Sequence, residues 1–167
     1  MSLKKIITVL ISCLLCGFLS LANGAQEEVH IIEQQLYKVP LAQGIKPADA
    51  VDALKSKAIE LNMKLVSHQP LSAELIARGI DSRRIEIFQF CNPYDARVMV
   101  KHNPIFAAYM PCKIALVEDE NKQHWLMMIS LDVLINKNPL PLVVKKTAER
   151  VNKTLKTILR AGAAGNF

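Results

Sequence analysis

The uncharged run from Ile6 to Leu21, preceded by Lys4 and Lys5 and followed by Ala22-Asn23-Gly24-Ala25, decides how much of this chain is left to fold. A cationic start, an apolar stretch and then small residues form the order of a secretory signal, which predicts removal of residues 1–25 and a periplasmic or secreted mature protein. Cleavage after Gly24 and cleavage after Ala25 both satisfy the small-residue rule. An uncleaved anchor is one competing reading, although the run of about 16 residues is shorter than the about 20 that usually span a bilayer. Lipidation at Cys13, after Leu10-Ile11-Ser12, is another, and it would leave the apolar Leu14 to Leu21 at the head of the mature chain. With the signal removed, no integral membrane span is expected.

Residues 26–167 then make a single domain, long enough to bury a core without staples. The formal charge of +6 loses two positive side chains with Lys4 and Lys5, and the mild excess that remains argues only weakly for anionic partners. Cys13 and Cys16 fall within the signal, which leaves Cys91 and Cys112. An even pair in an exported chain is first read as a disulfide, and closing that loop would stabilise the fold by roughly 3 kcal/mol.

Periodicity supplies the elements. Val29 to Val39 reads as a strand ending at Pro40. Pro47 opens a helix whose Val51, Leu54, Ala58 and Leu61 form one apolar stripe at spacings of three and four. Leu65 and Val66 mark a short strand. Ser72 is expected to cap a brief helix, with Leu71 and Ile76 at staple positions and Gly79 as its left-handed stop. Arg84 to Cys91, β-branched and aromatic, predicts an inner strand buried on both faces by its end.

Asn92-Pro93 is a helix start, with Asn92 as N-cap and Asp95 near the positive end of the dipole. That helix stops at Asn103-Pro104. A helical turn over Ile105 to Met110 leads through Pro111 to a strand from Cys112 to Glu118. A polar hairpin turn follows, and Trp125 to Ile135 reads as another strand. From Pro141 the spacing of Val144, Ala148, Val151, Leu155 and Ile158 predicts a helix of about five turns, with Lys145, Lys146, Arg150, Lys153, Lys156 and Arg160 on its other side. Gly162 to Phe167 is expected to fray. The order predicts an α+β fold, a mainly antiparallel sheet covered by helices.

The densest constellation is Phe88-Gln89-Phe90-Cys91-Asn92-Pro93-Tyr94-Asp95 with Ala107-Ala108-Tyr109-Met110-Pro111-Cys112-Lys113-Ile114-Ala115. These paired Asn-Pro and Pro-Cys blocks, followed by the Trp125 hairpin, resemble the bacterial family known as domain of unknown function 302, over roughly Val29 to Asn166. The resemblance implies a two-layer sandwich arranged like the TATA-binding protein, and self-association into a homodimer. It implies no activity, and nucleic-acid binding does not follow from the fold.

Cys91 and Cys112 are the first functional candidates. Beyond the disulfide, a low-pKa thiolate at the Asn92 helix start would support redox exchange or capture of a soft metal such as copper. A metal reading would add Met99, Met110, Met127, Met128, His102 or His124, yet no two histidines stand at a ligand spacing and methionine commonly fills gaps in cores. No metal site is therefore expected, and the cofactor is left open. His30 and His68 are expected at the surface.

Glu118, Asp119 and Glu120 belong to a solvated turn, Asp95 is explained by capping, and no nucleophile-elbow, phosphate-loop or zincin motif occurs, so an enzyme is not expected. The leading expectation is a non-enzymatic module that binds a small ligand or a protein in a cleft between sheet and helices, formed from Phe88, Phe90, Asn92, Tyr94, Phe106, Tyr109, Met110 and Trp125. The alternative is a thiol-dependent redox or copper-handling protein using Cys91 and Cys112. The basic helix face reads as solvated or as a contact for an anionic surface, and few aromatics are available to stack on bases.

Overall fold

The computed structural model describes residues 35–167, so the expected signal, His30 and the expected strand residues before Gln35 lie outside the described residues. Five strands form one open antiparallel sheet: β1 (Gln35–Pro40), β2 (Lys64–Gln69), β3 (Ile85–Cys91), β4 (Cys112–Glu118) and β5 (His124–Ser130), in the order β1-β5-β4-β3-β2. The helices are α1 (Pro47–Glu60), α2 (Leu71–Ala77), α3 (Pro93–His102), α4 (Asp132–Lys137) and α5 (Leu142–Ala164), with a 3-10 segment at Pro104–Tyr109. The α+β architecture is the one the pattern of elements predicts.

Strand alternation sends one set of side chains to the helices. Phe88 and Phe90 on β3, Ile114 and Leu116 on β4, and Leu126 and Met128 on β5 are all buried, and they form one core with Leu54 of α1 and Leu155, Ile158 and Leu159 of α5. The other face of β3 is only half-covered, which corrects the expectation that this strand is buried on both sides. Helices cover one face of the sheet, so the period of two persists even in an inner strand.

Local chemistry explains most boundaries. The Asn92 side chain accepts hydrogen bonds from the Tyr94 and Asp95 amides at 3.0 and 3.3 Å, and Asn103 repeats the device with the Ile105 amide at 3.0 Å. Gly79 takes φ +77 and closes α2 as expected, whereas Ser72 does not cap that helix. Its buried hydroxyl instead donates to the Ile85 carbonyl at 3.4 Å, tying α2 to β3.

Two tertiary contacts override the sequence pattern. The apolar run after Trp125 leaves the sheet at Ser130 and turns into α4, because Asn152 of α5 accepts the Leu131 amide at 3.0 Å and the Ser130 hydroxyl accepts that of Asp132 at 3.1 Å. At the other end α5 does not fray at Gly162 but runs to Ala164, 23 residues in all. A Cβ at Gly162 would lie 2.9 Å from Leu126 Cδ1, 3.0 Å from Leu54 Cβ and 3.1 Å from the Ala50 carbonyl oxygen. Gly162 is thus a point of close approach between α5, α1 and β5, and the helix stops only at Gly165 with φ 65.

His68, expected at the surface, is half-buried. Its ring stacks on Phe88 with centroids 4.3 Å apart, and its Nε2 lies 2.8 Å from the buried Glu86 carboxylate, which Arg84 also holds. Among the described residues no helix is long and apolar enough to cross a membrane.

Candidate functional site

The two Asn-Pro and Pro-Cys blocks meet at one end of the sheet. β3 ends at Cys91, and Asn92 caps α3 while its amide donates to the Asn62 carbonyl at 3.1 Å. That bond fixes the turn after α1, where Asn62 takes a positive φ of 55 and Met63 points into the core. One turn along α3 from Asp95 stands the buried Met99. The 3-10 segment then buries Phe106 and leaves Tyr109 and Met110 half-exposed, after which Cys112 begins β4 opposite Phe90. Asp95 forms an ion pair with Arg150, fastening α3 to α5.

Between these elements lies an apolar cleft of ≈ 20 Å³, reached by Cys91, Cys112, Met63, Met99, Met110 and Tyr109 and backed by Leu131 and Val151. A space of about 10–15 Å³ holds one water, so this volume takes a group of about the size of a water or a single ion. Two wider depressions adjoin it. One, of ≈ 250 Å³, shares the Tyr109–Cys112 segment; the other, of ≈ 620 Å³, shares Met63 and Asn92 and carries the exposed Ile59 and Tyr94.

The expected disulfide is absent: Cys91 and Cys112 are both free thiols. Register gives the reason. Cys112 pairs with Phe90 and Cys91 with Lys64 on the other neighbouring strand, so the two cysteines are not cross-strand partners, although both reach the same cleft. Nor is either a low-pKa thiolate. Burial raises the Cys91 pKa, and the nearby Asp95 charge raises it further, outweighing the position ahead of α3. Burial, then the proximity of Cys91, pushes Cys112 up to about 11. Both sulfurs are protonated at neutral pH.

The eight residues expected to form the cleft do not converge. Asn92, Tyr109 and Met110 reach it. Phe88, Phe90 and Phe106 are core, and Tyr94 stands out in the neighbouring groove. Trp125 is on the opposite face of the sheet, where its indole donates to Asp119 at 2.8 Å and Lys38 sits 3.7 Å from its ring centre. Of the expected metal ligands, Met99 and Met110 arrive, while Met128 is core, Met127 faces away, His102 is exposed and His124 lies beside Glu118. Sequence reasoning missed Met63. The only local signal for it is an apolar residue directly after a helix-ending Asn.

The basic face of α5 is partly committed. Arg150 pairs with Asp95, Lys156 with Asp132, and Arg160 donates to the Tyr37 hydroxyl at 2.7 Å.

Residues 37–159 match the family model described as domain of unknown function DUF302. The fold is also similar to a crystal structure of an uncharacterized conserved protein DUF302 from Bacillus stearothermophilus, with a TM-score of 0.63 and 20% identity over 75% of this chain and 96% of that one. No curated protein matches the chain.

Proposed function

The chain belongs to the DUF302 family, and we propose that it is a non-enzymatic binding module, exported to the periplasm or beyond, whose site is the cleft at the Cys91 and Cys112 end of the sheet. The carrying observation is that this cleft gathers side chains from α1's exit turn, β3, α3, the 3-10 segment and β4 around a space of atomic size. Its titratable groups are poorly suited to acid–base work: Asp95 is held by Arg150, and both thiols and the Tyr109 phenol are raised in pKa by burial. Export rests on the N-terminal sequence.

Native mass spectrometry of the protein isolated from its source tests this reading. A bound species that is released on unfolding and lost in Ala96→Leu, which fills the cleft from α3, is the expected result. Protein that carries nothing and shows no loss in that variant would overturn it.

Thiol redox exchange is the second reading, supported by two unbridged thiols lining one cleft. It requires thiol counts that change reversibly with mild oxidant in the folded protein. The protonated state of both sulfurs opposes it, since the thiolate is the reactive form.

A further inference from the structure

We infer that the cleft is a site for a soft monovalent cation of the Cu(I) class, coordinated by the thiols of Cys91 and Cys112 and by thioethers drawn from Met63, Met99 and Met110. This rests on the cleft being the binding site and names what it binds. The described residues contain seven sulfur side chains, and five of them line this single cleft. They come from four separate stretches of chain, so no helical or strand period explains their convergence.

A core that uses methionine as gap filler would scatter it. Met128 shows that use here, packed in the sheet core away from the cleft. Thiol and thioether sulfur are soft donors that select Cu(I), whereas borderline and hard cations want imidazole or carboxylate. Among the described residues no group of three His, Cys, Asp or Glu could hold a metal, which disfavours Zn(II) at this site. Asp95, the one carboxylate of the cleft, is engaged by Arg150. The volume of ≈ 20 Å³ accommodates one ion, and Met110 and Cys112 both stand in the wall shared with the ≈ 250 Å³ outer depression, which gives an ion a route in. On binding, the metal displaces the proton of each coordinating thiol, two protons leave to solvent as two sulfur–metal bonds form, and no electron is exchanged.

The experiment is an anaerobic titration of the reduced protein with Cu(I) in competition with bicinchoninate, repeated with Ag(I) and Zn(II). One equivalent of Cu(I) and of Ag(I) should bind, and Zn(II) should not compete. Met99→Leu and Met110→Leu keep the cleft's volume and should each weaken binding by on the order of tenfold, a loss of the size seen for groups that tune metal sites. Met127→Leu, on the far face, should change nothing. Cys112→Ser should abolish binding, and X-ray absorption of the Cu(I)-loaded protein should show a shell of sulfur alone, a readout that does not depend on how that variant folds. Failure to take up either monovalent ion, or uptake indifferent to Met99→Leu and Met110→Leu, overturns the inference. If Cu(I) is refused while the isolated protein carries another species lost in Ala96→Leu, the cleft reading stands and the metal falls; if neither is seen, both fall.

Discussion

Two regions lean on α5 and differ in what their polar atoms do. Around Asp132, beside α4, the Asn152 amide donates to the carboxylate at 2.7 Å, the Ser130 hydroxyl donates to it at 2.6 Å, and Lys156 pairs with it. At the cleft, five sulfur-bearing side chains line a space and the two thiols are left unbridged. The first arrangement ties α4 to α5 through a hydrogen-bonded carboxylate. The second contributes apolar contacts to the core, yet places five sulfur-bearing side chains along one cavity. Satisfied hydrogen bonds mark a folding device, and unbridged convergent sulfur marks a capacity to bind.

The comparison breaks if the corner tolerates damage that the cleft does not. Asn152→Ala removes the acceptor of the Leu131 amide and a donor to Asp132 in a buried place, and should destabilise by about 2–4 kcal/mol in denaturant unfolding. Met99→Leu in the cleft, a volume-conserving change, should stay under about 1.5 kcal/mol. Equal losses would erase the distinction.

Gly162→Ala asks whether both regions share one support. The added methyl meets Leu54 and the Ala50 carbonyl, so α5 must shift, at about 1–3 kcal/mol. The loss should appear as a lowered denaturation midpoint with an unchanged slope.

Acid sharpens the contrast further. Lys156, then Ser130, holds Asp132 below the ordinary carboxylate value of 3.8. A depressed folded pKa contributes stability that is present above the unfolded value and lost as the pH falls through the folded one. Stability should therefore decline below about pH 4, and Asp132→Asn should flatten that part of the profile in thermal unfolding.

The smallest effect on stability, and the most direct view of the cleft, is alkylation of Cys112. A pKa raised from 9.0 to about 11 lowers the thiolate fraction at neutral pH roughly hundredfold. Iodoacetamide should label Cys112 far more slowly in the folded protein than in denaturant. Rapid labelling of the native state would mean a reactive thiolate and would favour the redox reading.

Much of the fold was legible because it is written over short distances. Asn92 and Asn103 each find their amide partners two or three residues on, and the stripes of α1 and α5 follow one helical turn after another. The two cysteines were legible as a place of interest, though not as what they are.

The sequence by itself determined most of the elements, the α+β class and the Asn-Pro and Pro-Cys blocks, since capping and periodicity act within three or four residues. Tertiary structure alone decided that α4 breaks the last strand, that Gly162 is a contact rather than an end, and that five of the six expected aromatics stay out of the cleft while Met63, Cys91, Met99, Met110 and Cys112 line it with Tyr109. Those outcomes depend on strand register and on where helices touch, and no spacing along the chain encodes a distance across it.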